Sequence, residues 1–113
     1  MIKVAVIGLG RFGTELAKRL GANQVEVIAI DNSDKLINEV KDDVAIAVRL
    51  NATDEQALKS QDIDKVDACV ISIGENFEAA LLTTVILKKL GVPKIICRAQ
   101  TKFHAEIFTQ VGA

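Results

Sequence analysis

The chain has 113 residues, 50% of them apolar and 26% charged, with a formal net charge of -1. This length allows one domain around one core and excludes an enzyme that carries a separate substrate domain within the same 113 residues. The near-neutral charge excludes a strongly basic nucleic-acid surface, and no apolar run reaches the ~18 residues of a membrane span. Met1 leads straight into the run Ile2 to Ile7, without the charged start and cleavage site of a secretory leader. The chain is therefore expected to be cytosolic, with no membrane insertion of its own.

Apolar runs alternate with segments of helical period from one end to the other. Lys3 to Ile7 reads as a strand, followed by a helix over Phe12 to Leu20; Val25 to Ile30 is the second strand, followed by a helix over Asp34 to Lys41 with Ser33 as its cap. Ala45 to Leu50 is the third strand, and Thr53 with Gln56 stands at capping-box spacing for a helix over Asp54 to Ser60. Ala68 to Ile73 and Lys94 to Arg98 complete the strands; the helix Asn76 to Leu90 between them stops at Gly91 and Pro93, and Lys102 to Val111 is the last helix. Most strands read as continuous Val, Ile and Ala runs, as parallel strands covered on both faces do. The pattern predicts a Rossmann-like doubly wound α/β fold with strand order 3-2-1-4-5 and helices on both faces of the sheet.

In such a sheet the ligand crevice lies at the carboxyl ends of the strands, where the strand order reverses. Gly8, Gly10 and Gly13 follow the first strand at the spacing G-x-G-x-x-G. The first glycine permits the tight turn, the second lets a phosphate approach bare backbone, and the third lets the helix pack closely. The helix then aims its unpaired N-H groups and positive dipole end at an anion. Asp31, after the second strand, is placed to accept hydrogen bonds from the hydroxyls of an adenosine ribose and to repel a 2'-phosphate; a solvated strand-end acid is the alternative. Arg11 can add a charge-assisted contact to the phosphates, or simply face water, and Phe12 beside it reads as a packing residue.

Cys69 and Cys97 lie far apart in the sequence, each inside an apolar run, and read as small core hydrophobes. His104 has no second ligand near it in the sequence and reads as a surface or interface histidine. Glu75 and Glu78 read as favourable acids at a helix N-terminus. Helix Asn76 to Leu90 carries more apolar surface than one stripe against a sheet requires, which predicts self-association.

The run "VIGLGRFG", "AID" after the second strand, "NATDEQAL" after the third, then "ISIGENFEAALLTTVILKKLGVPKIICRA" and "HAEIFTQVGA" resembles the N-terminal lobe of an RCK (regulator of K+ conductance) domain, the TrkA-N or KTN family. The resemblance covers essentially the whole chain. It implies a non-catalytic cytosolic regulatory domain that binds an adenine nucleotide, ATP/ADP or NAD(H), and gates a separate K+ channel or transporter, to which it is peripheral. Gly8, Leu9, Gly10, Arg11, Phe12 and Gly13 match the phosphate loop; Asp31 and Asn32 match the ribose end; Asn51, Ala52 and Thr53 match the loop flanking the adenine. Gly74, Glu75 and Asn76 match the loop that closes over the phosphates, and Arg98 matches a basic position at the far side. Family members pair into homodimers, assemble into rings and continue past the last helix into a C-terminal lobe, so this chain is expected to be an isolated lobe. The competing reading is the cofactor half of an NAD-dependent oxidoreductase, which would need a proton donor and a substrate pocket.

Overall fold

A computed structural model describes all 113 residues. The elements run β1 (Lys3–Ile7), α1 (Arg11–Ala22), β2 (Glu26–Asp31), α2 (Asp34–Val40), β3 (Ile46–Arg49), α3 (Glu55–Ser60), β4 (Ala68–Ile71), α4 (Phe77–Lys89), β5 (Ile95–Cys97) and α5 (Lys102–Val111). The strands form one parallel sheet in the order β3-β2-β1-β4-β5, as the alternation predicts.

Side chains alternate across each strand, so two cores form. Ala5, Ile7, Ile28, Ile30, Cys69, Ile71 and Ile95 face α3, α4 and α5, with Leu58, Leu87 and Phe108 packed onto them. Val4, Val6, Val27, Ala29 and Val70 face α1 and α2, meeting Ala17, Ile37 and Val40. The second face is covered only in part: Ile96 of β5 is 46% exposed, and the edge strand β3 has no buried residue. Coverage of both faces therefore holds for the central strands and lapses at the edges.

Local chemistry sets most helix ends. The Ser33 hydroxyl accepts from the Leu36 N-H, and Gly91, at φ +85°, closes α4 with the Gly91 N-H donating to the Lys88 carbonyl and the Val92 N-H to the Leu87 carbonyl. Gly112 closes α5 at φ +121°. The expected capping box at Thr53 is displaced by one residue. Asp54 is the cap, its carboxylate accepting from the Gln56 and Ala57 N-H groups, while the Thr53 hydroxyl donates to the Asn51 side chain. A short 3-10 turn over Ile63–Lys65, absent from the sequence reading, seats buried Ile63 under the sheet. No helix is long and apolar enough to cross a membrane.

Candidate functional site

Between the ends of β1 and β4 the strand order reverses, and a cavity of about 420 Å³ opens there. Its volume lies within the usual range for small-molecule sites. The loop after β1 forms its floor. Gly8 turns the chain at φ +96° with its N-H on the Ile30 carbonyl at 2.8 Å, and a Cβ there would stand 2.5 Å from the Ser72 carbonyl oxygen. A Cβ on Gly13 would land on the Gly8 carbonyl oxygen. Both glycines are thus required by the chain's own backbone. Gly10 differs, because a Cβ there would meet nothing within 4 Å and its φ of -69° is ordinary. The vacant space beside Gly10 belongs to the cavity.

Four helices have side-chain caps: Ser33 for α2, Asp54 for α3, Asn76 for α4 and Thr101 for α5. Helix α1 has none, and no acid in its first turn. Its N-terminal amides and positive dipole end are left for whatever enters beside Gly10 and Arg11. Such a cradle suits an anionic group such as phosphate, sulfate or carboxylate.

Asp31 serves the fold as well as the cavity. Its Oδ2 accepts from the Leu9 N-H at 2.7 Å and its Oδ1 from the Ser33 N-H at 2.9 Å, tying the glycine loop to the turn after β2. Each oxygen retains a further lone pair for a ligand hydroxyl. On the third side, Asn51 Oδ1 accepts from the Thr53 N-H at 2.9 Å and the Thr53 hydroxyl at 2.6 Å, which folds Asn51, Ala52 and Thr53 into a self-bonded turn.

Of the residues singled out from sequence, Gly8, Leu9, Gly10, Arg11, Asp31, Asn32, Asn51, Ala52, Thr53, Gly74, Asn76 and Arg98 line this one cavity. Phe12, Gly13 and Glu75 do not. Gly13 lies beneath the loop, and Glu75 is exposed. Phe12 is not the packing residue expected: it is 45% exposed, and the Arg98 guanidinium lies over its ring, 5.1 Å from the centroid. Only the fold puts the end of β5 beside the start of α1. Sequence reading missed Ile7, Ile30, Leu50, Ser72, Ile73 and Ala79, which also line the cavity. These are the last or next-to-last residues of strands, the residues just past them, and the face of α4 one turn after Asn76, so strand register was the signal that could have found them.

The fold joins other distant residues. His104 is half-buried and stacks on Phe77 with ring centroids 4.1 Å apart, and the Gln100 side chain donates to the Gly74 carbonyl, so α5 and its leading loop brace the loop after β4. Cys69 and Cys97, far apart in sequence, sit on the same face of adjacent strands, two residues out of register. Burial pushes both thiols up; the Thr84 hydroxyl, 3.1 Å from Cys97 Sγ, pulls the second partly back. Neither is poised as a thiolate nucleophile.

An open parallel sheet with a glycine-rich loop, an uncapped helix and an acid after β2 at the switch point defines a Rossmann-like domain. Residues 4–113 match the TrkA-N domain family, and the chain belongs to it. It is 42% identical over 109 residues to the Ktr system potassium uptake protein C of Bacillus subtilis (strain 168), covering 96% of this chain and 49% of that protein. The chain thus spans about half the length of the curated relatives it matches. Among solved structures, the NAD(P)-binding domain of an exopolyphosphatase-related protein from Archaeoglobus fulgidus superposes with a TM-score of 0.87 at 29% identity, covering 100% of this chain and 84% of that one. Shewanella denitrificans Kef CTD in AMP-bound form superposes at 0.80 with 25% identity, covering 97% and 67%.

Proposed function

We propose that this domain is a non-catalytic sensor of an adenine nucleotide, ATP/ADP or NAD(H), that regulates a K+ channel or transporter from the cytoplasmic side. The observation that carries this reading is the uncapped N-terminus of α1 opening beside Gly10 and Arg11 into a cavity that Asp31 also lines. The relatives named as Ktr and Trk system potassium uptake proteins support a partner in K+ transport. The ionisable side chains lining the cavity are Arg11, Asp31 and Arg98. A carboxylate bonded to two amides and two guanidinium groups suit holding a ribose and an anion, where binding energy shifts a conformational equilibrium. They do not suit the proton transfers of an oxidoreductase. Mass spectrometry of the nucleotide that co-purifies with the protein, followed by calorimetry with AMP, ADP, ATP, NAD and NADH, tests the proposal. Absence of binding to every one of these would overturn it.

Arg11 is the residue that would read phosphate charge. Arg11→Ala is expected to weaken ATP more than AMP, by an excess of ~1–3 kcal/mol, the size of a charge-assisted hydrogen bond to the terminal phosphates. NADH should fall between them. Calorimetry at one fixed ionic strength makes the comparison, because salt screens every phosphate interaction. Equal weakening across the series would show that Arg11 does not gauge phosphate number.

Self-association belongs to the same proposal. Leu82 and Val85 of α4 are 46% and 45% exposed, and Phe103 of α5, the helix packed against α4, is 68% exposed. Burying such side chains against a second copy is favourable by roughly 1.5–3 kcal/mol each when complete. A homodimer is expected by light scattering, with Leu82→Glu shifting it to monomer; ring assembly would belong to the full-length protein. A parent that stays monomeric at high concentration with nucleotide present would refute the dimer.

A further inference from the structure

Two adjacent threonines on α4 are both fully buried, yet their hydroxyl groups go to different places. Thr84 Oγ1 bonds back to the Ala80 carbonyl of its own helix at 2.8 Å, the usual local solution for a helical threonine. Thr83 Oγ1 instead leaves the helix and donates to the Ala52 carbonyl at 3.2 Å, in the turn after β3. Asn76 and Ala79 on the same face of α4 line the cavity, and Thr83, one turn beyond Ala79, lies outside it. The Ala52 carbonyl, in a turn that lines the cavity, is therefore held by a buried hydroxyl on α4 that lies outside it.

We infer that Thr83 is a positioning residue for the base end of the bound nucleotide, through the orientation it imposes on the Asn51-Ala52-Thr53 turn. This rests on the reading of the cavity as an adenine-nucleotide site. The self-bonded turn at Asn51 sets the shape of the loop, but those bonds lie within it. The Thr83 bond, 31 residues away in the chain, fixes where that shape sits relative to α4. Helix α4 thereby holds at its first turn the loop after β4, through the Asn76 cap on the Ala79 N-H, and two turns later the turn after β3; in the proposed site, with phosphates at α1 and ribose at Asp31 of β2, the turn after β3 is the one left for the base. One rigid element spaces the two ends of the site.

The test compares a ligand that has a base with one that lacks it. Affinities for AMP and for ribose 5-phosphate, which carry the same single phosphate, are measured by NMR titration, following the amides of Gly10, Arg11, Ala52 and Thr53. Thr83→Val keeps the shape and removes the hydroxyl; it is expected to weaken AMP roughly five- to tenfold, the size of one neutral hydrogen bond, and to leave ribose 5-phosphate unchanged. Thr83→Ser should restore the parent values, and Thr84→Val should leave the ratio of the two affinities as in the parent. If Thr83→Val fails to fold, Thr83→Ala carries the same comparison. Equal weakening of both ligands would make Thr83 merely structural and overturn the inference, as would no weakening of either. A parent that binds ribose 5-phosphate as tightly as AMP would also overturn it, while a parent that binds none of AMP, ADP, ATP, NAD and NADH would remove the nucleotide reading itself.

Discussion

Gly13→Ala is expected to damage the fold, while Gly10→Ala, three residues earlier, keeps the fold and loses the ligand. A Cβ on Gly13 falls on the backbone carbonyl of Gly8, which is itself held at φ +96° with its N-H on Ile30, so neither partner is a flexible side chain that can swing away. Relief requires moving α1 off the sheet, at a cost of about 2–4 kcal/mol by analogy with overpacked cores and strained backbone. In a domain of this size that lowers Tm by roughly 10 °C or more. Gly10 has open space at its Cβ position and an ordinary backbone conformation, so alanine there should cost under about 1 kcal/mol of stability, the modest penalty of a weaker helix cap. The same methyl group would occupy the space beside the N-terminus of α1. Affinity for ADP should fall roughly tenfold or more, which is ~1.4 kcal/mol or above. Urea denaturation and calorimetry on the two variants check the contrast; a Gly10→Ala protein with full nucleotide affinity would mean that no phosphate approaches that backbone.

Asp31→Ala should show a double loss, because the carboxylate has two tasks. Removing it leaves the N-H of buried Leu9 without its partner at 2.7 Å, an orphaned donor that costs about 1–3 kcal/mol of stability. It also removes the acceptor proposed for the ribose hydroxyls, worth ~1.5–3 kcal/mol of binding when charged, or roughly ten- to a hundredfold in affinity. Discrimination between dinucleotides separates the two effects. The parent should bind NADP more weakly than NAD, since a 2'-phosphate would stand against the carboxylate, and Asp31→Ala should narrow that difference even though its overall affinity is lower. Equal affinity of the parent for NAD and NADP would refute the ribose assignment and leave the bonds to Leu9 and Ser33 as the whole role of Asp31.

The order of strands and helices, the parallel sheet and the switch-point crevice were legible from residue pattern, because each depends on neighbours in the chain. Val and Ile runs make strands, Gly91 and Ser33 make helix ends, and a connection through a helix must return parallel and right-handed. The glycine spacing likewise marks a loop whose geometry is dictated within a few residues. Approaches between loops were not legible. Whether Phe12 packs inward or lies under Arg98 depends on the end of β5 arriving beside α1, which no local signal encodes. The same holds for Asp31 reaching back to Leu9, for His104 stacking on Phe77, and for the hydroxyl of Thr83 bonding to Ala52 where that of Thr84 turns back into the helix. The capping shift from Thr53 to Asp54 shows the boundary between the two regimes: the capping pattern marked a helix start, and the Asp54 carboxylate, accepting from the Gln56 and Ala57 N-H groups, set it one residue later. Periodicity along a chain specifies which face of each element is apolar, but hydrogen bonds are short and directional, so their partners are decided only when the packed sheet brings the loop ends within about 3 Å of one another.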